Sequence, residues 1–214
     1  MKLGGGIGKV MKNFTGRSSG SFAQKSGFTL WFTGLPCSGK STLAEEVSLE
    51  LQCRGLSVEI LDGDLVRMTL CKGLGFRKVD RDENIARLGW VCSLLNRHGI
   101  VAIGATISPY RDAREHLRTS IPKFVEIYVK APLSVCMGRD VKGMYAKAIA
   151  GEISHFTGVD DPYEEPMAPD IVLETDKTNI AECVSAIIEH LEEIGILTLA
   201  TLAGSYATRK VCGG

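Results

Sequence analysis

The chain has no cysteine pair spaced C-x-x-C, no run of about 18 apolar residues, and no excess of charge of either sign. Each absence excludes something. The seven cysteines, at 37, 53, 71, 92, 136, 183 and 212, are scattered and odd in number. That argues against a disulfide framework or a thiolate zinc site and for reduced thiols in a cytoplasmic setting. Without a long apolar run no membrane span is expected. The 25 basic residues balance the 25 acidic ones, so nothing electrostatic favours a nucleic-acid partner. Acidic residues are missing altogether from positions 1–27, which carry Lys2, Lys9, Lys12, Arg17 and Lys25 among glycines and serines. This stretch reads as a flexible basic leader. The remainder suits one domain, residues 28–196, followed by a tail at 197–214.

What is present centres on Gly34-Leu35-Pro36-Cys37-Ser38-Gly39-Lys40-Ser41, which fits G-x-x-x-x-G-K-[ST]. In such a loop the backbone N–H groups wrap nucleotide phosphates. The flanks agree with it. Residues 28–33 form an apolar, β-branched and aromatic run expected of a buried parallel strand, and residues 41–51 read as a helix. Strand, loop and helix in this order aim a helix N-terminus at an anion. Lys40 can reach the β- and γ-phosphates, and the Ser41 hydroxyl can ligate Mg²⁺.

Strands and helices then alternate. Residues 57–61, 100–107, 124–129 and 170–174 read as further strands. Helices are expected after Asp62, from a capping box at Asp80 and Glu83 to the His98-Gly99 stop, over 111–118, near Pro132-Leu133, and over 178–194. Residues 142–167 lose periodicity and gather Lys, Gly, Asp and Pro, as a mobile lid would. The alternation predicts an α/β fold, a three-layer αβα arrangement of the P-loop NTPase type with a mainly parallel sheet.

Ligands of open parallel sheets bind beyond the carboxyl ends of the strands. Polar groups gather at these ends: the phosphate loop, Asp62-Gly63-Asp64, Ser108, and Arg139-Asp140 one helix further on. Asp62 and Asp64 can hold a metal's water shell or orient an attacking hydroxyl; the alternative is that Asp62 merely ends a strand and Asp64 caps a helix. Arg67 and Arg81 suit a phosphate or sulfate, and Asn84 a base edge or hydroxyl.

Residues 28–196 resemble the adenylylsulfate kinases. The resemblance rests on the phosphate loop, Leu61-Asp62-Gly63-Asp64-Leu65-Val66-Arg67, Leu74-Gly75-Phe76, Asp80-Arg81-Asp82-Glu83-Asn84 and Ile107-Ser108-Pro109-Tyr110. It continues through Arg139-Asp140-Val141-Lys142-Gly143, Ala150-Gly151-Glu152-Ile153 and Phe156-Thr157-Gly158-Val159-Asp160. It implies transfer of the ATP γ-phosphoryl group to the 3′-hydroxyl of adenylyl sulfate (adenosine 5′-phosphosulfate), giving 3′-phosphoadenylyl sulfate and ADP in sulfate assimilation. Another small P-loop nucleotide or sugar kinase, or a non-catalytic nucleotide-binding module, is the alternative. The resemblance implies ATP and Mg²⁺ as cofactors, a homodimer, and functional coupling to ATP sulfurylase.

The implied nucleotide contacts are Gly34, Leu35, Pro36, Cys37, Ser38, Gly39, Lys40, Ser41, Thr42 and Arg139, with Ser41 and Asp62 at the metal. Asp64, Arg67, Phe76, Arg81, Asn84, Ile107, Ser108, Lys142 and Phe156 would surround the acceptor, and Phe76 and Phe156 would sandwich its adenine. Lys40, Asp62, Asp64 and Ser108 would carry the chemistry. The family is described as using Ser108 as a phosphoserine intermediate. Direct transfer needs no covalent stop, so Ser108 is expected to contact substrate instead. Two stretches depart from the family pattern. Residues 144–149 are less basic than usual, and Pro36-Cys37 replaces small residues; a nearby helix N-terminus could lower the Cys37 thiol pKa and make it oxidisable.

Overall fold

The computed structural model describes residues 27–198, so the leader and most of the tail lie outside the described residues. Five strands, β1 (Thr29–Thr33), β2 (Val58–Asp62), β3 (Val101–Ala105), β4 (Phe124–Lys130) and β5 (Ile171–Glu174), form one sheet in the order β2-β3-β1-β4-β5. Every pairing is parallel. The helices are α1 (Lys40–Cys53), α2 (Gly63–Met68), α3 (Lys78–Arg97), α4 (Arg111–Ser120), α5 (Leu133–Gly138), α6 (Met144–Ile149) and α7 (Ile180–Glu193). The expected three-layer fold is present.

The strand period of two divides the core. Leu30 and Phe32 of β1 point to the layer of α1 and α7, where they pack with Leu43, Val47, Leu51, Ile187 and Leu191. Trp31, between them in sequence, points to the layer of α3 and α4 and meets Leu88, Cys92, Leu117 and Phe124. Its indole lies over β3 at Gly104, where an added Cβ would come within 2.5 Å of the ring. Glycine there is a close-approach requirement, and it lets the indole N–H reach the strand ends.

Three local expectations change. No capping box forms at Asp80 and Glu83: the N-cap of α3 is Arg77, three residues earlier, and no side chain caps it. Asp80 instead lies in the first turn, where a carboxylate suits the helix dipole, and pairs with Arg77. The box occurs on α7, between Asn179 and Glu182. The stretch 142–167 holds a regular element after all, α6, whose Tyr145 is buried. At the domain edges, Gly27 bonds to the Asn96 carbonyl and Leu197 packs into the main core, so both belong to the domain rather than to leader and tail.

Candidate functional site

The central strand β1 delivers the phosphate loop to the carboxyl edge of the sheet. Gly34 has φ 148°, and a Cβ there would lie 2.3 Å from the Val129 carbonyl oxygen, so the turn out of β1 takes only glycine. Lys40, buried at the start of α1, folds its ammonium onto the loop, donating to the Gly34 and Leu35 carbonyls at 3.0 and 2.6 Å. Burial pushes its pKa down to about 8; the nearby Cys136 and Cys37 thiols and the Asp62 and Asp64 carboxylates offset part of that. Ser41 donates to Asp62 Oδ2 at 2.9 Å. The other Asp62 oxygen caps α2, accepting from the Asp64 and Leu65 amides. Capping and site geometry thus share one carboxylate, and the cap is Asp62 rather than Asp64.

The loop is held from outside. Arg139 donates to the Thr175 hydroxyl and carbonyl, and the Thr175 hydroxyl donates to the Ser38 carbonyl at 2.8 Å. Tyr145 of α6 donates to the Pro36 carbonyl at 3.1 Å. Leu35 and Cys37 pack with Tyr145, Cys136 and Phe156 in a small third core. The Cys37 thiol does not match its expectation. Burial, then the Asp140 carboxylate, hold its pKa above the ordinary value, against smaller opposing effects of Lys40 and Lys142. Cys37 also has φ 60°, a left-handed conformation costly for a residue with a Cβ. Thr42, one residue beyond the motif, is exposed on α1.

The acceptor-side residues come from five separate segments, 64–67, 76–84, 107–108, Lys142 and Phe156. Arg81, buried on α3, donates through Nε to the Phe76 carbonyl at 2.8 Å and through Nη2 to the His155 carbonyl, and it lies 3.8 Å from Asp161 Oδ2. One guanidinium therefore joins the segments carrying Phe76 and Phe156. Phe76 is half exposed, with the Arg67 guanidinium 4.4 Å from its ring centre. Arg67 also donates to the Gly75 carbonyl, and burial followed by Arg81 holds its pKa below the ordinary value. Phe156 is buried and meets Tyr145 edge-on at 4.9 Å. Asn84, one turn beyond Arg81, is buried with its Oδ1 unpartnered, and the Thr157 hydroxyl and Asp161 Oδ2 are likewise buried without a hydrogen bond. Orphaned acceptors of this kind call for a donor from outside the chain.

Lys142 forms an ion pair with Asp64, both side chains largely exposed, and the contact raises the lysine's pKa. Ser108 departs furthest from expectation. It is 1% exposed, and its hydroxyl accepts from Trp31 Nε1 at 3.1 Å and donates to Thr33 Oγ1 at 2.9 Å. The Ile107 carbonyl is taken by the Thr33 hydroxyl at 2.8 Å. These two residues shape the rim by their backbone while the serine hydroxyl faces inward.

Sequence reasoning passed over Thr33, Arg114, Tyr163 and Thr175. Thr33 ends β1 and Thr175 directly follows β5, both at the carboxyl edge of the sheet, a signal that was available. Arg114 and Tyr163 carried none: Arg114 links Ser108 and Glu126 to a Glu164 carbonyl 50 residues on, and Tyr163 meets Thr33 across 130 residues.

The adenylylsulphate kinase family matches residues 26–174. An adenylyl-sulfate kinase of Synechococcus sp. (strain JA-2-3B'a(2-13)) is 53% identical over 171 residues, 80% of this chain and 98% of the relative. One from Halothermothrix orenii is 53% identical over 82% of this chain and 95% of its own length. Among solved structures, the Mycobacterium tuberculosis APS kinase in complex with AMPPNP and APS superposes with a TM-score of 0.75 at 43% identity, covering 78% of this chain and 98% of that one. A sugar kinase from Janibacter sp., at 20% identity and TM-score 0.57, shares the fold alone.

Proposed function

The chain belongs to the adenylylsulphate kinase family, and from that premise we propose that it transfers the γ-phosphoryl group of ATP to the ribose 3′-hydroxyl of adenylyl sulfate. The observation that carries the acceptor side is Arg81, which holds the Phe76 and His155 carbonyls on one guanidinium. Its guanidinium lies 5.6 Å from the centre of the exposed Phe76 ring, and the unpartnered Asn84 oxygen belongs to the next turn of the same helix. An aromatic face and free acceptors suit an adenine ring with its exocyclic amine, and the cationic Arg67 and Arg81 suit the phosphosulfate.

On the donor side Lys40 would leave the Gly34 and Leu35 carbonyls for the β- and γ-phosphates. Ser41 and Asp62 offer two hard oxygen ligands in contact, the type Mg²⁺ takes. Among the described residues no cluster of three or more His, Cys, Asp or Glu could hold a metal, so phosphate and water oxygens would complete the shell. Bound there, the ion would neutralise charge on the transferring phosphoryl group. Asp64 would orient the attacking hydroxyl, and Lys142, released from it, would turn to the substrate phosphates. Arg139 and Thr175, on the outer side of the loop, would border the ATP base.

An assay of ADP release with ATP and adenylyl sulfate tests this. Release that depends on adenylyl sulfate is expected; no release, or equal release with AMP, would overturn it. No helix among the described residues is long and apolar enough to cross a membrane, and a cytoplasmic location is part of the proposal. The homodimer and the coupling to ATP sulfurylase remain part of the proposal.

A further inference from the structure

Five polar groups meet beneath the reaction centre, those of Trp31, Thr33 and Ser108 buried and those of Ile107 and Tyr163 half-buried, and their hydrogen directions are determined by chemistry. An indole N–H only donates and a carbonyl only accepts. The Trp31 N–H therefore donates to Ser108 Oγ, Ser108 donates to Thr33 Oγ1, and Thr33 donates to the Ile107 carbonyl, at 3.1, 2.9 and 2.8 Å. With the Thr33 proton so used, Tyr163 donates to Thr33 at 3.0 Å. The chain is fully satisfied, and no group in it can take the Ser108 proton, so nothing there activates that hydroxyl as a nucleophile. Ser108 is held at φ 40° not only by this chain but by Arg114, which donates to its carbonyl at 2.5 Å. Arg114 is itself fixed by Glu126 at 2.8 Å and by the Glu164 carbonyl.

The position of Thr33 gives this network a function. It is the last residue of β1, and the next residue, Gly34, opens the phosphate loop. Through its hydroxyl it also grips residues 107 and 108, the rim on the acceptor side. We propose that Thr33 is a positioning residue for phosphoryl transfer, fixing the spacing between the donor loop and the acceptor rim through Ser108 and Ile107. The inference rests on the kinase reading above. In-line transfer depends steeply on that spacing, with about a hundredfold loss for a displacement of about 1 Å. Binding of each substrate alone does not depend on it.

The test compares Thr33→Val, which keeps the shape and removes the hydroxyl, with Thr33→Ser, which restores it. Expected for Thr33→Val is a kcat for adenylyl sulfate lower by about ten- to a hundredfold, with both KM values within about threefold. Phosphoadenylyl product formed per ATP consumed falls as well, and Thr33→Ser recovers most of both losses. Amide hydrogen exchange of the substrate-free proteins gives a reading independent of activity: Thr33→Val speeds exchange in both 34–40 and 107–110, and Thr33→Ser in neither. Equal effects of the two variants, a loss confined to KM, exchange altered in one loop only, or a phosphoserine trapped at Ser108 would overturn the proposal. A wild-type protein inactive on adenylyl sulfate would overturn the kinase reading, while the exchange experiment would still decide the role of Thr33.

Discussion

The donor and acceptor halves of this site are built on opposite plans. The donor half is nearly continuous in sequence: eight residues of loop, the first turn of α1, and one carboxylate from the end of β2; Lys40, Ser41 and Asp62 are already partnered, and among its described buried side-chain groups only the Ser38 hydroxyl is left without a hydrogen bond. The acceptor half is gathered from α2, the 76–84 stretch, the β3 edge, Lys142 and the 155–161 turn, and leaves the buried Asn84 Oδ1, Thr157 hydroxyl and Asp161 Oδ2 without a hydrogen bond. A phosphate-binding loop answers to backbone geometry and a helix terminus, which local sequence can supply. A site for a particular acceptor needs side chains converging from several directions, and only the folded sheet brings them together.

The comparison is tested most severely by Lys40. Lys40→Met should lower kcat/KM by about a thousandfold or more with the fold retained, read by steady-state kinetics beside circular dichroism. A loss below tenfold would mean that the donor half is not organised around this amine. On the acceptor side, Arg81→Ala strips donors from two carbonyls and leaves the half-buried Asp161 without its arginine. The KM for adenylyl sulfate should rise by about ten- to a hundredfold while that for ATP stays put, and stability should fall by about 3 kcal/mol, read in a denaturant titration. Equal changes in both KM values would erase the division between halves.

A smaller effect separates them by pH. Below about pH 8 the free protein holds Lys40 charged against its burial. Between about 8 and 10.5 the folded form has released a proton that the unfolded chain still binds, so the free protein gains stability across that window. A bound phosphate demands the charged amine. Affinity for a non-hydrolysable ATP analogue should therefore fall above pH 8 by up to about tenfold per pH unit, with proton uptake on binding seen by calorimetry in buffers of different ionisation enthalpy. Pairing of AMP with the acceptor half should lack this dependence. The smallest effect concerns Cys37: its raised thiol pKa predicts alkylation by iodoacetamide a few-fold slower than that of free cysteine at pH 7.5, followed by mass spectrometry. Faster alkylation would restore the reactive thiol that a helix N-terminus suggested.

That thiol shows how far local reasoning carries. The sequence places Cys37 before a helix, which would favour its thiolate; the structure adds burial against Tyr145 and Cys136 and a carboxylate at Asp140, and these outweigh the helix. The Asp80 pattern failed for a related reason. A carboxylate three residues before a glutamate fits more than one helix register, and α3 begins upstream of it. Strand periods and the glycine loop, by contrast, were legible because burial on both faces of a parallel sheet constrains nearly every residue of β1, β3 and β4.

The sequence alone determined the alternation of strands and helices, the phosphate loop with Lys40 and Ser41, and the family, because each is written in short-range spacing. The tertiary structure decided the strand order, the union of Phe76 and Phe156 segments at Arg81, and the inward turn of Ser108 toward Trp31 and Thr33. Those depend on which groups burial forces to share hydrogen bonds across 70 or more residues of chain. No local pattern encodes such partners, since a buried polar group takes whichever donor or acceptor the packed layers bring within reach.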